Sequence, residues 1–216
     1  MQEYLEPTPF IDSNTDAIRA AARDVSADSQ DDMQKAIRLF YFVRDRIPYN
    51  IHVPRFQPDE LRAGTTLARG EGFCIQKAVL LTALCRAEGI PARLGFAVIR
   101  NHRLPEKLLS RLKTNEIPDH GFAELYLNDQ WIKATPAFDL ATCQKNRFRP
   151  VEFDGVHQAV FHDRDLDGRP HIEYVRVRGR YADVPFDDIT AWVLEALKPE
   201  AKDSFFAGEF LIKSPN

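Results

Sequence analysis

Residues 70–95 read GEGFCIQKAVLLTALCRAEGIPARLG. A thiol follows directly on a Gly-x-Gly turn, an apolar run follows the thiol, and Gly-Ile-Pro closes the run. From Cys74 to about Ala87 the apolar residues Ala78, Val79, Leu80, Leu81, Ala83 and Leu84 surround the helix on nearly all sides. A helix of that kind lies in the centre of a fold. Gly89 suits the left-handed position after a helix end, and Pro91 bars its continuation. The stretch therefore predicts a central helix with a cysteine in its first turn, followed by a strand, ARLGFAVIR.

The flanking sequence supplies the outer layers. NTDAIRAAARDV (14–25) predicts a helix capped by Asn14 or Thr15, with Ile18, Ala21, Ala22 and Val25 on one face. QDDMQKAIRLFYFVRDRI (30–47) predicts a second, with acids in its first turn and bases in its last, as the helix dipole favours. TTLARGEGF reads as a loop with at most one helical turn, and residues 101–118 as irregular with one short helix. HGFAELYL and WIKATPAF, split by Asn128-Asp129, predict a hairpin. A two-residue loop sets Tyr126 opposite Trp131, Leu125 opposite Ile132 and Glu124 opposite Lys133, three compatible pairs. VHQAVFHD and HIEYVRVRGRY predict another hairpin around RDLDG, and PFDDITAWVLEAL a last helix. Helices followed by strands predict an α+β fold with an antiparallel sheet. No linker divides it, so residues 1–216 read as one domain, with a core at about 30–140 and the second hairpin and final helix at about 150–198.

Composition narrows the function. The chain has 216 residues and a formal net charge of -3, which gives no footprint for nucleic acid. No apolar run is long enough to span a bilayer and no signal-peptide pattern opens the chain, so the expectation is a cytoplasmic protein without a membrane partner. Three cysteines without a CxxC argue against a disulfide framework or a zinc ribbon. DRDLDG resembles the opening of a calcium loop, but Tyr174 stands where the bidentate glutamate belongs and Pro170 interrupts the pattern. An ordinary turn is the better reading, and no metal or cofactor is expected.

Cys74 has two readings. Free cysteine often only fills core space. At a helix N-terminus, however, unpaired N–H groups and the dipole favour an anion, so the thiol pKa is expected to fall. Cys85, three helical turns on, is expected in the core, and Cys143 to be structural or superficial. Of six histidines, His120 is set best to act as a base, because it opens a patterned strand. Extending the hairpin register sets it opposite Ala137, with Thr135 and Asp139 as diagonal neighbours.

GEGFCIQKAVLLTALCRAEGIPARLGFAV, followed some thirty residues later by HGFAELYLNDQWIKATPAF, resembles the transglutaminase-like superfamily. The resemblance covers roughly residues 30–140. It implies a papain-like core, with the Cys-bearing helix packed on an antiparallel sheet, and a Cys-His-Asp acyl-transfer site. Cys74 becomes the nucleophile and His120 the base. The family's aspartate falls at Thr135, so the orienting acid is assigned to Asp139, with Thr135 as an auxiliary hydrogen-bonder. The implied reaction is attack on a peptide or glutamine amide through a thioester; a small chain without a secretion signal favours hydrolysis over cross-linking. The alternative is an inactive binding module of the same fold.

Overall fold

The structure, a computed structural model, describes residues 1–206. Helices α1 (Asp16–Ser26), α2 (Asp32–Arg46) and α3 (Ala63–Arg69) pack around the central helix α4 (Cys74–Ala87). Strand β1 (Ala92–Asn101) follows, then the short α5 (Glu106–Leu109) and the hairpin of β2 (Glu116–Leu127) and β3 (Gln130–Ala134). Helix α6 (Leu140–Asn146), strand β4 (Ile172–Tyr181) and helices α7 (Phe186–Ala196) and α8 (Pro199–Phe206) complete the order. The sheet runs β3-β2-β1-β4, antiparallel throughout, and α4 packs on β1 and β2. This is the expected α+β architecture. No helix among the described residues is long and apolar enough to cross a membrane.

Every residue of α4 from Ile75 to Arg86 is buried, the polar ones included. Each of those polar side chains is satisfied, as burial demands. Gln76 Nε2 donates to the carbonyls of Pro54 (2.9 Å) and Glu60 (2.8 Å). Lys77 Nζ donates to Arg44 O (3.0 Å), and Arg86 reaches the carbonyls of Glu6, Ala92 and Ala182. Gly89, at φ 78°, ends the helix in the left-handed region.

The β2–β3 register is the predicted one, with Tyr126↔Trp131, Leu125↔Ile132 and Glu124↔Lys133. Asn128 and Asp129 both take positive φ, as a two-residue loop requires. Glu124 nevertheless chooses other partners. Its carboxylate binds Arg93 (2.7 Å), its neighbour on β1, and Arg180 (3.0 Å) from β4, while Lys133 lies over the Phe122 ring.

Two expectations fail. Helix α3 fills much of the stretch read as loop. The second hairpin does not form. Residues 157–162 run beside the end of β3, with Ala159 N–H donating to Lys133 O, and β4 pairs with β1 instead. Of the two readings of Cys143, the structural one holds: it is buried.

Candidate functional site

A cavity of about 420 Å³ opens at the N-terminus of α4. Cys74 and His120 both line it, with Asp119, Tyr49 and Arg55. The backbone N–H groups of Gly121, directly after His120, and of Ile75 act on the Cys74 sulfur and favour its thiolate. Gly121 makes this approach possible: a Cβ there would stand 3.2 Å from Ile75 Cα. The loop before α4 is tied down as well, because Asn50 N–H donates to Gly72 O and Gly72 N–H to Pro48 O.

Asp119 reaches the same cavity through a bulge. Between the pairs Ala97↔His120 and Ile99↔Ile117, β2 spends Pro118 and Asp119 against the single Val98. Bulges re-aim side chains in this way. The Asp119 carboxyl is buried, and burial raises its pKa against the pull of Arg55 and Arg178. Arg55 lies over the Phe73 ring at 3.8 Å, with a buried Nε that has no hydrogen-bond partner.

The electrostatics of the thiol differ from the expectation. Burial, and then the Asp119 carboxylate, push the Cys74 pKa up to about 11. The N–H groups of Gly121 and Ile75 and the Arg55 cation pull it down, but by less. The helix terminus does favour the thiolate; desolvation and a neighbouring acid outweigh it. His120 is 1% exposed, and burial alone pulls its pKa down to about 3. The pair at rest is a neutral thiol and a neutral imidazole.

Among the described residues no hydrogen bond joins Asp139 to His120. Strand β3 ends at Ala134, so the extrapolated register, with His120 opposite Ala137, never forms. Asp139 caps α6 instead. Its carboxylate accepts from Thr142 N–H (2.8 Å), Thr142 O–H (2.8 Å) and Tyr49 N–H (2.8 Å). Burial opposes ionisation there, but these bonds and the Lys77 ammonium hold its pKa below the usual carboxylate value.

The group that meets the histidine is one that sequence reasoning missed. Tyr174 Oη, from β4, lies 3.3 Å from His120 Nε2. It also accepts from Phe161 N–H at 3.4 Å. Thr135 is buried nearby; its hydroxyl lowers the Tyr174 pKa, though no hydrogen bond of good geometry joins it to another group. Burial nonetheless raises the phenol to about 12, so it stays protonated. The signal in sequence was faint: Tyr174 sat in a predicted strand with no indication that β4 would lie beside β1.

Apolar side chains, Ile99, Leu108, Phe148 and Ile172 among them, form much of the remaining wall. Arg103 and Lys145 line it too, and neither forms an ion pair among the described residues. The Asp-rich turn lies elsewhere and is closed by arginines. Asp165 binds Arg169 (2.8 Å), and Asp167 binds Arg147 (2.6 Å) and Arg169 (2.6 Å). Among the described residues no group of three or more acidic, histidine or cysteine side chains is arranged to hold a metal ion.

Two solved structures are similar at low identity. A candidate cysteine protease from Cytophaga hutchinsonii is 19% identical, with a TM-score of 0.49 over 82% of this chain and 53% of that one. A candidate protease from Parabacteroides distasonis is 12% identical, with a TM-score of 0.38 over 55% of this chain and 22% of that one. The chain thus spans about half the length of the first. No curated protein matches it. The profile of the transglutaminase-like superfamily matches residues 19–136, a stretch that contains Cys74, His120 and Thr135 but not Tyr174. With more than half of its length matched, the chain belongs to the transglutaminase-like superfamily.

Proposed function

We propose that the protein is a thiol acyl-transfer enzyme that cleaves an amide, with Cys74 as nucleophile and His120 as base. The observation that carries this reading is the convergence of the two on one cavity at the N-terminus of α4. The imidazole takes the thiol proton as the sulfur attacks the carbonyl carbon, and the carbonyl electron pair moves onto oxygen. First-turn N–H groups of α4, which have no acceptor within the helix, hold that oxygen. The imidazolium returns its proton to the leaving amine as the C–N bond breaks, and a thioester remains. Water then resolves the thioester. The apolar walls and the unpaired Arg103 and Lys145 favour a peptide with apolar and acidic residues around the amide.

The test is incubation with a glutamine-containing acidic peptide library, with and without a fluorescent primary amine, followed by mass analysis. Hydrolysed or deamidated peptide that disappears in Cys74→Ala supports the reading. Incorporation of the amine in place of water makes the protein a cross-linker. A second reading, an inactive binding module, draws on the raised thiol pKa and on Thr135. It requires that Cys74 show no reaction with acyl probes beyond that of a denatured control.

A further inference from the structure

We propose that Tyr174 is the residue that orients His120 for proton transfer, in place of a carboxylate. The proposal rests on the reading of Cys74 and His120 as nucleophile and base. It starts from an accounting of acids. Asp139 is committed to Thr142 and Tyr49, and Glu124 to Arg93 and Arg180. Asp119, aimed by its bulge, acts on Cys74 and with Arg55. Among the described residues no carboxylate acts on His120, and its one hydrogen-bonding partner is the Tyr174 hydroxyl.

A phenol oxygen accepts two hydrogen bonds and donates one. Phe161 N–H fills one acceptor position at 3.4 Å. In this assignment the phenol proton goes to Thr135 Oγ1, a buried hydroxyl with no hydrogen-bond partner of good geometry and with lone pairs to accept it. The remaining acceptor position then belongs to His120 Nε2–H. This assigns the tautomer: the proton sits on Nε2, and Nδ1 is bare to take the thiol proton. An edge of aromatic rings holds the imidazole in plane, with Phe161 at 4.9 Å and Tyr174 at 5.8 Å between centroids. The charged and titratable groups that line the same cavity are Cys74 on α4, Asp119 on β2, Tyr49, His52 and Arg55 from the loop between α2 and α3, Arg103 after β1 and Lys145 on α6.

A phenol fixes the tautomer but does not share the imidazolium charge as a carboxylate does. The base therefore works from a neutral pair, and acylation should be independent of pH between about 5 and 9, without an inflection near neutrality. The experiment measures p-nitrophenyl acetate acylation of Cys74 against pH, together with ¹⁵N spectra of the labelled histidines. The proposal expects that plateau and an Nε2–H tautomer for His120 in the wild type. In Tyr174→Phe, the plateau should fall at least tenfold, leaving a rate that climbs tenfold per pH unit, while the fold persists by circular dichroism. The His120 signal should become a tautomer mixture. Thr135→Asp added to Tyr174→Phe should restore a plateau by offering Nε2 a carboxylate. A wild-type Nδ1–H tautomer overturns the proposal whether or not the variant folds, as does a Tyr174→Phe plateau within twofold of wild type. Acylation that survives in Cys74→Ala instead overturns the underlying reading of the site.

Discussion

Gly121 on β2 faces the backbone of Ile75 so closely that a methyl group at Gly121 would stand 3.2 Å from Ile75 Cα. Backbone cannot yield as a flexible side chain does. Gly121→Ala should therefore push the first turn of α4 off the strand and cost about 1–3 kcal/mol, the usual range for overpacking. It should also slow alkylation of Cys74. Gly89→Ala is the contrast: no atom lies within 4 Å of its Cβ, but φ is +78°. It should cost about 1 kcal/mol in strain and leave Cys74 reactivity unchanged. Equal effects of the two on the alkylation rate would show that the close approach is not what places the thiol.

Asp139→Asn should be a stability variant. It weakens a cap that accepts from Thr142 and Tyr49, so denaturant melts should show a loss of about 1–2 kcal/mol. The rate of Cys74 acylation should stay within a few-fold of wild type. A loss of orders of magnitude with an unchanged melt would return Asp139 to the role of orienting acid.

Asp119→Asn removes the acid that raises the thiol pKa after burial. The alkaline limb of iodoacetamide labelling at Cys74 should move to lower pH. Iodoacetate should gain on iodoacetamide at Cys74 relative to a small free thiol, because Arg103 and Lys145 line the cavity without ion pairs. Arg103→Ala with Lys145→Ala should remove that advantage. A ratio indifferent to both substitutions and to salt would argue against a preference for acidic substrates.

Two buried histidines predict the acid limb of stability. Burial holds His120 at about 3 and His171 at about 4, both below the ordinary 6.5. The unfolded chain takes up these protons as pH falls through 6.5, whereas the native state does not until far lower. Their contribution is thus complete above about pH 6.5 and is lost as pH falls, by up to about 1.4 kcal/mol per unit for each group. His171 stacks on Phe148 at 4.0 Å with neither ring nitrogen hydrogen-bonded. His171→Phe should leave stability at pH 7 little changed and make the decline between pH 6 and 4 shallower. An identical slope in the variant would remove His171 from the account.

The sequence determined the local frame. The all-round apolar pattern of Cys74–Ala87 could only be a central helix, and Gly89 with Pro91 fixed its end. The Asn128-Asp129 loop set the hairpin register, because one extra residue would have turned every side chain to the wrong face. Cys74 could be placed at the head of that apolar helix and His120 in a patterned strand, although β2 begins at Glu116, four residues before the histidine that was expected to open it. What lay beyond periodicity needed the tertiary structure. The hairpin register held to Ala134 and no further, because residues 157–162 close against the end of β3, so Asp139 turned away to cap α6. The pairing of β4 with β1, not with the segment before it, carried Tyr174 to His120 across 54 residues of chain. The thiol pKa was decided in the same way. A helix terminus is visible in one dimension; the desolvation and the bulged Asp119 that outweigh it arise only when α4 and β2 are packed together.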